Sequence, residues 1–462
     1  MANEAKEGHL AHMQRMENLG IVEAVQRPLK VVFLGAGSAF LEHLAKDVLG
    51  IPGAEQGEFA LVDVDRERLA LAEPLAKLIA AKLGKAGWTV TASTDRRRVL
   101  EGADYIINCI EVSGTGCVRF DNDIPAKYGV DQCIGDTIGP GGLFKALRTV
   151  PVFLEVLADV ERMCPRAWVL NYTNPMSIMC LAAARAASRA KVVGLCHSVQ
   201  GASHSLAKWC EVPYNEMKWT CAGVNHLAWF TELSHKGRDL YPALKQRART
   251  DPKFAEQDLV RFDLMEHFGY YCTESSGHDS EYLPYYRKRK DILARYCRDG
   301  YKGGSSFYAD NWPTWRVNCD QRRREVIEGK QQPKLERSWE YASFIIEAME
   351  TNNPLIIYGS VPNHNLIENL PHDNVVEVAC LVNRMGVTPT RYGRLSGACA
   401  ALCDWNMRMF DVAADACIQK SRTLAEQALM LDPLTAAVCC PAEIRQMTAE
   451  LFEAEKDFLP GY

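Results

Sequence analysis

Lys30-Val31-Val32-Phe33-Leu34-Gly35-Ala36-Gly37-Ser38-Ala39-Phe40 is the stretch whose reading decides the fold. A β-branched and aromatic run from Lys30 to Leu34 predicts a buried strand, and the apolar spacing from Phe40 to Leu49 predicts a helix. Glycines between the two let backbone approach a pyrophosphate, whose charge then faces the helix N-terminus. Gly35, Gly37 and Ser38 are the candidate cofactor contacts, although Phe40 stands where a third glycine would complete the usual fingerprint. Asp63, closing a second apolar strand from Glu58 to Val62, sits where an acid accepts from a ribose 2′-hydroxyl and repels a 2′-phosphate. The pair favours NAD over NADP; a tight turn with a helix N-cap is the plainer alternative.

Working outward, strands at Trp88–Ala92, Tyr105–Ile110, Ala167–Asn171 and Val192–Leu195 alternate with helices at 65–83, around 96–100 and at 143–163. Such alternation predicts an α/β fold, a Rossmann-type doubly wound parallel sheet. Past about residue 196 the alternation gives way to aromatic-rich loops and helical segments such as Ser338–Glu350 and Ala398–Met430. These predict a C-terminal mixed α+β, mostly helical domain over the sheet's C-terminal edge. The expected organisation is an N-terminal extension over 1–29, a dinucleotide-binding domain over 30–197 and a C-terminal domain for substrate, metal and oligomerisation over 198–462.

The bulk properties narrow the class. A length of 462 residues suits two packed domains, and 47% hydrophobic with 24% charged residues is globular composition. A net charge of −5 gives no basic stripe, so nucleic acid is excluded as a partner, and no apolar run is long enough for a membrane span. Seventeen irregularly scattered cysteines read as free thiols of a reducing, cytoplasmic setting. The first 29 residues lack the apolar core of a secretory signal.

Four further clusters carry chemistry. Cys133-Ile134-Gly135-Asp136-Thr137-Ile138-Gly139-Pro140-Gly141-Gly142 is a rigid polar loop containing an acid, Asp136. Asn171-Tyr172-Thr173-Asn174-Pro175 places amides at a strand's C-terminal end, in the crevice where α/β sheets bind ligands. Cys196 and His226, in Gly194-Leu195-Cys196-His197 and Gly223-Val224-Asn225-His226, offer a thiolate and an imidazole for a divalent metal if the fold joins them. Thr273-Glu274-Ser275-Ser276-Gly277-His278-Asp279-Ser280-Glu281-Tyr282 is crowded with acids and hydroxyls. Surface turns, caps and core residues are the alternative reading of each.

Taken in order, GAGS, DTIGPGG, NYTNPMS, GLCHSVQG, AGVNH and TESSGH with Glu281-Tyr282 resemble glycoside hydrolase family 4, over about residues 28–460. The nearest likeness is to its melibiase-type α-galactosidases. The resemblance implies NAD and a Mn²⁺-type ion as cofactors, a glycoside substrate, and a homodimer or homotetramer. It implies Cys196 and His226 as metal ligands, Asn174 near substrate and metal, and Asp136 and His197 near the leaving-group oxygen. Tyr282 is the favoured base, with Glu281 and Glu274 in the same loop. His197 departs from the acidic residue usual at that place in 6-phosphoglycosidase relatives, which argues for an unphosphorylated sugar. Arg148, Arg287 and Arg316 are the basic residues that could hold an anionic one, and Arg148 is taken as the candidate substrate contact.

The implied route differs from a two-carboxylate displacement. Hydride leaves sugar C3 for NAD, a base takes the acidified C2 proton while the metal polarises the neighbouring oxygens, and the glycosidic oxygen departs by elimination. Water then adds and the hydride returns. α-Glucosides and α-uronides remain alternative substrates. The glycine loop and Asp63 alone would equally suit a simple dehydrogenase of a sugar or hydroxy acid.

Overall fold

The computed structural model describes Met16 and residues 23–462. Most of the 1–29 stretch therefore lies outside the described residues. Its last part packs on the body: Arg27 pairs with Asp104 and Glu350, both at 2.6 Å.

Six parallel strands form the N-terminal half: β1 (Leu29–Leu34), β2 (Gln56–Val62), β3 (Gly87–Ser93), β4 (Tyr105–Asn108), β5 (Trp168–Asn171) and β6 (Lys191–Leu195). Their order in the sheet is β3-β2-β1-β4-β5-β6. The chain reverses direction of progress between β1 and β4, and that switch opens a crevice at the strands' C-terminal ends. The central strand β1 is apolar because helices cover both its faces.

The helices match the sequence reading closely: Phe40–Leu49 follows β1, and Arg66–Lys82 follows β2. Asp65 starts the latter by accepting the N–H groups of Glu67 and Arg68, a cap that contributes about 1 kcal/mol. The helix expected from Leu143 begins instead at Gly139, inside the glycine cluster, with Pro140 in its first turn.

The C-terminal half differs from expectation. The sheet does not stop near residue 196. It continues through β11 (Leu355–Pro362), β12 (Val375–Asn383), β7 (Met217–Val224), β8 (Leu227–His235) and β10 (Tyr271–Cys272), in that spatial order. β11 pairs antiparallel with β6, so hydrogen bonds cross the boundary expected at 197. One apolar core likewise runs through both halves, from Val31 and Ile106 to Ile345, Val376, Phe410 and Leu451. The helical stretch read over 398–430 is two helices, Gly397–Gln419 and Arg422–Leu431, broken where Lys420 takes a left-handed φ of 51°. All seventeen cysteines are free, and among the described residues no helix is long and apolar enough to cross a membrane.

At Gly35 (φ +81°) an added Cβ would stand 2.3 Å from the Cys109 carbonyl oxygen on β4's exit. Gly35→Ala combines a disfavoured φ with a backbone clash, and is expected to cost about 2–4 kcal/mol of stability by urea denaturation. An unchanged midpoint would mean that the loop and β4 do not pack as described.

Candidate active site

Every functional segment converges on the C-terminal ends of the strands. The Gly35–Ser38 turn leaves β1, and Asp63 leaves β2. Asp63 Oδ2 accepts the Gly37 N–H at 2.6 Å and its Oδ1 accepts the Asp65 N–H at 2.9 Å. Each oxygen keeps a second lone pair for a ribose hydroxyl. An added Cβ at Gly37 would lie 2.9 Å from Asp63 Oδ2 and 2.6 Å from Arg68 Nε, so only glycine fits there. These residues thus fit a dinucleotide.

Cys196 follows β6. His226 occupies the tight turn between β7 and β8, across the extended sheet, and Glu274 follows β10. The structure brings all three together: Cys196 Sγ lies 3.3 Å from His226 Nε2, and the three donor atoms stand within 4.8 Å of one another. His226 (φ 66°) and Glu274 (φ 76°) both hold left-handed backbone, a strain of about 1–3 kcal/mol each that ordinary turns avoid. Burial and the neighbouring His278 lower the His226 pKa to about 4, so its ring is neutral at pH 7 and its lone pair available. Burial alone would raise Glu274, but His278, His226 and His197 outweigh it and keep the carboxylate ionised. Burial, with Glu274 and Glu377, pushes the Cys196 thiol up, and a cation is what would favour its thiolate. Thiolate, imidazole and carboxylate together fit a divalent ion.

Asp136 is the hub beside this cluster. Thr137 Oγ1 donates to it at 2.6 Å and Asn174 Nδ2 at 3.3 Å, while Lys145 Nζ stands 3.4 Å away and His278 Nε2 3.7 Å. Lys145 reaches Glu111 at 2.8 Å, and His278 Nδ1 lies 3.2 Å from Glu274. Glu274, His278, Asp136, Lys145 and Glu111 thus alternate in charge through a buried line. Desolvation opposes ionisation of Asp136, yet Lys145 and His278 hold it well below the carboxylate range. Burial would likewise lower His278, but Glu274 and Asp136 raise it well above the imidazole range. Ile134, Tyr308 and Trp312 line a small cavity with Asp136 and Lys145.

Several sequence expectations change here. Glu281 is not free to act on a ligand: one of its oxygens accepts the N–H groups of Cys133, Ile134 and Gly135 at 2.5, 2.9 and 3.1 Å, and so shapes the loop that presents Asp136. Arg148 is not a substrate contact. Its side chain is 1% exposed and is held by Asp121 at 2.7 Å and Glu455 at 2.9 Å. Arg287 is buried against Asp131, and Arg316 lies over Gly114 beside Asp65. Tyr282 is fully buried, its ring centroid 6.2 Å from His226, and its hydroxyl has no hydrogen-bond partner among the described residues. Burial, then Asp136 and Asp279, raise its phenol. His197 is half-exposed, with Nδ1 3.6 Å from Glu340.

The reading of residues alone left out Lys145 and the bridging role of His278. The spacing of Glu274 and His278, one helical turn apart, was the available signal for the latter.

Comparison with known proteins agrees with this geometry. Residues 30–212 match the family model described as Family 4 glycosyl hydrolase, and residues 221–435 match its C-terminal domain. The alpha-galactosidase of Bacillus subtilis (strain 168) is 39% identical over 439 residues, covering 94% of this chain and 99% of that protein. The alpha-galactosidase of Rhizobium meliloti (strain 1021) is 36% identical over 441 residues, covering 94% and 89%. A crystal structure of a 6-phospho-alpha-glucosidase from gut microorganisms, in complex with NAD and Mn²⁺, superposes with a TM-score of 0.79 at 22% identity, covering 94% and 99%, and shares the fold.

Arg148→Met strips Asp121 and Glu455 of their buried counter-charge, and is expected to destabilise the protein by about 3–5 kcal/mol in urea denaturation. A stability loss below about 1 kcal/mol would contradict this structural role.

Proposed function

The chain belongs to family 4 of the glycosyl hydrolases, and on that premise we propose that it is an NAD- and divalent-metal-dependent hydrolase of α-galactosides. The observation that carries the reading is the placement of the Cys196, His226 and Glu274 donors and the Asp136 hub on one crevice with the Gly35–Ser38 loop. A hydrolase needs a dinucleotide loop beside metal donors only if hydride transfer is hidden in its turnover.

When bound, NAD supplies a hydride acceptor and a Mn²⁺-type ion supplies Lewis acidity at the sugar oxygens. Gly35, Gly37 and Ser38 would hold the pyrophosphate, Asp63 the ribose, and Cys196, His226 and Glu274 the ion. Asn174 points its carboxamide at the Asp136 carboxylate and orients a sugar hydroxyl there. Tyr282, with its free hydroxyl beside His226, is the group that takes the C2 proton. Asp136, ionised next to a protonated His278, passes a proton towards the leaving oxygen, with His197 on the solvent side. Tyr308 and Trp312 keep water from the Asp136–Lys145 pair.

A neutral sugar is favoured because Arg148 and Arg287 are committed to buried carboxylates and Arg316 lies beside Asp65. The galactoside assignment is supported by the two alpha-galactosidases at 39% and 36% identity.

Protein stripped of cofactor and treated with EDTA is expected to lose activity on p-nitrophenyl α-galactoside and to regain it only with NAD and Mn²⁺ together. Turnover in D₂O should place deuterium at C2 of the released sugar. Full activity of the stripped protein would overturn the proposal, and stoichiometric NADH accumulation would make the chain a simple dehydrogenase. Cys196→Ser should weaken Mn²⁺ binding by more than about a hundredfold while NAD affinity, read by calorimetry, stays within twofold. Unaltered Mn²⁺ affinity would remove Cys196 from the ligand set.

A further inference from the structure

The helix Phe307–Ile327 belongs to the C-terminal half, yet one of its side chains reaches the dinucleotide loop of the N-terminal half. Arg323, buried to 1% exposure, donates from Nη1 to the Gly37 carbonyl at 3.0 Å and from Nη2 to the Ser38 carbonyl. Arg68, from the helix after β2, donates to the same Gly37 carbonyl. Asp320, one turn before Arg323, stands 3.2 Å from Arg68 and 3.7 Å from Arg323, and keeps the two cations side by side. Consecutive carbonyls of the loop are therefore both turned onto one guanidinium.

A trans peptide points its N–H opposite to its C=O. Fixing the Ser38 carbonyl on Arg323 turns the Ala39 N–H away from it, at the N-terminus of the helix Phe40–Leu49, where helix N–H groups meet an anion. The planar fork of arginine spans two carbonyls in a way that lysine cannot. We propose that Arg323 is a positioning residue for the dinucleotide: it presets the glycine loop for the pyrophosphate and makes the cofactor site depend on the C-terminal half. This inference rests on the NAD reading above.

The neighbouring Arg322 supplies a control, because it joins the same helix to the loop helix by an ion pair with Glu42 at 2.8 Å without touching the loop carbonyls. NAD is titrated by calorimetry into full-length protein holding Mn²⁺, and Mn²⁺ affinity is measured separately by electron paramagnetic resonance of the free ion. Arg323→Gln should weaken NAD binding about tenfold to a hundredfold, and Arg323→Lys should recover only part of it. Mn²⁺ affinity of both variants, and NAD affinity of Arg322→Ala, should stay within twofold of the unsubstituted protein. If Arg323→Gln does not fold, Arg323→Lys carries the test. NAD affinity unchanged in the folded Arg323 variants, lost equally in Arg322→Ala, or lost in parallel with Mn²⁺ affinity would overturn the inference. Failure of the unsubstituted protein to bind NAD would instead sink the NAD reading itself.

Discussion

The pairing of β11 with β6, through Gly359 with Leu195 and Ser360 with Gly194, is the constraint on which the rest of the molecule depends. Without it β6 would be an edge, and Cys196 at its tip would face solvent or a covering helix. With it, β12 and then β7 continue the same sheet, and Glu377 on β12 stands opposite Gly223 on β7. The turn after β7 therefore arrives beside the tip of β6. The meeting of a thiol and an imidazole from distant segments is thus a consequence of backbone hydrogen bonding, not of any local preference of the two residues.

Electrostatic order follows from that placement. Groups of this polarity are costly to bury singly, and here they are buried in alternation, so each charge faces its opposite. Lys145 is shared between Glu111 and Asp136, and His278 between Asp136 and Glu274. The same logic removes Arg148 and Glu281 from the chemistry. Arg148 compensates Asp121 and Glu455, which secures the C-terminal helical region to the helix carrying Lys145. Glu281 collects three backbone N–H groups and so fixes the peptide planes just ahead of Asp136.

Legibility in the sequence tracked how local each signal was. β1, the helix Phe40–Leu49 and the strands as far as β6 were readable because each is written in consecutive apolar residues bounded by glycine or acid. Cys196, His226, Asn174 and Asp136 were readable as chemistry, since each ends a strand or stands in a glycine-rich loop. The strands β7, β8, β11 and β12 were not, because their pairing partners are remote and their aromatic residues read equally well as loop. Arg148 was misread for a related reason: its charge is visible in the sequence, whereas the carboxylates that consume it, one near the far C-terminus, are not. Arg323 gave no signal, lying in a polar helix with no motif around it.

The reach of the helix Phe307–Ile327 over the glycine loop has a consequence for how the protein is made. A nascent chain that has emerged only through β6 carries every strand of the parallel sheet, yet it lacks β11 to cover its edge and the Arg323 that holds the Gly37 and Ser38 carbonyls. Its exposed strand edge is a template for pairing with other chains until residues synthesised much later return to close it. The polypeptide therefore commits to its final arrangement late in synthesis, and the nucleotide pocket and the sheet edge become complete in the same closing event.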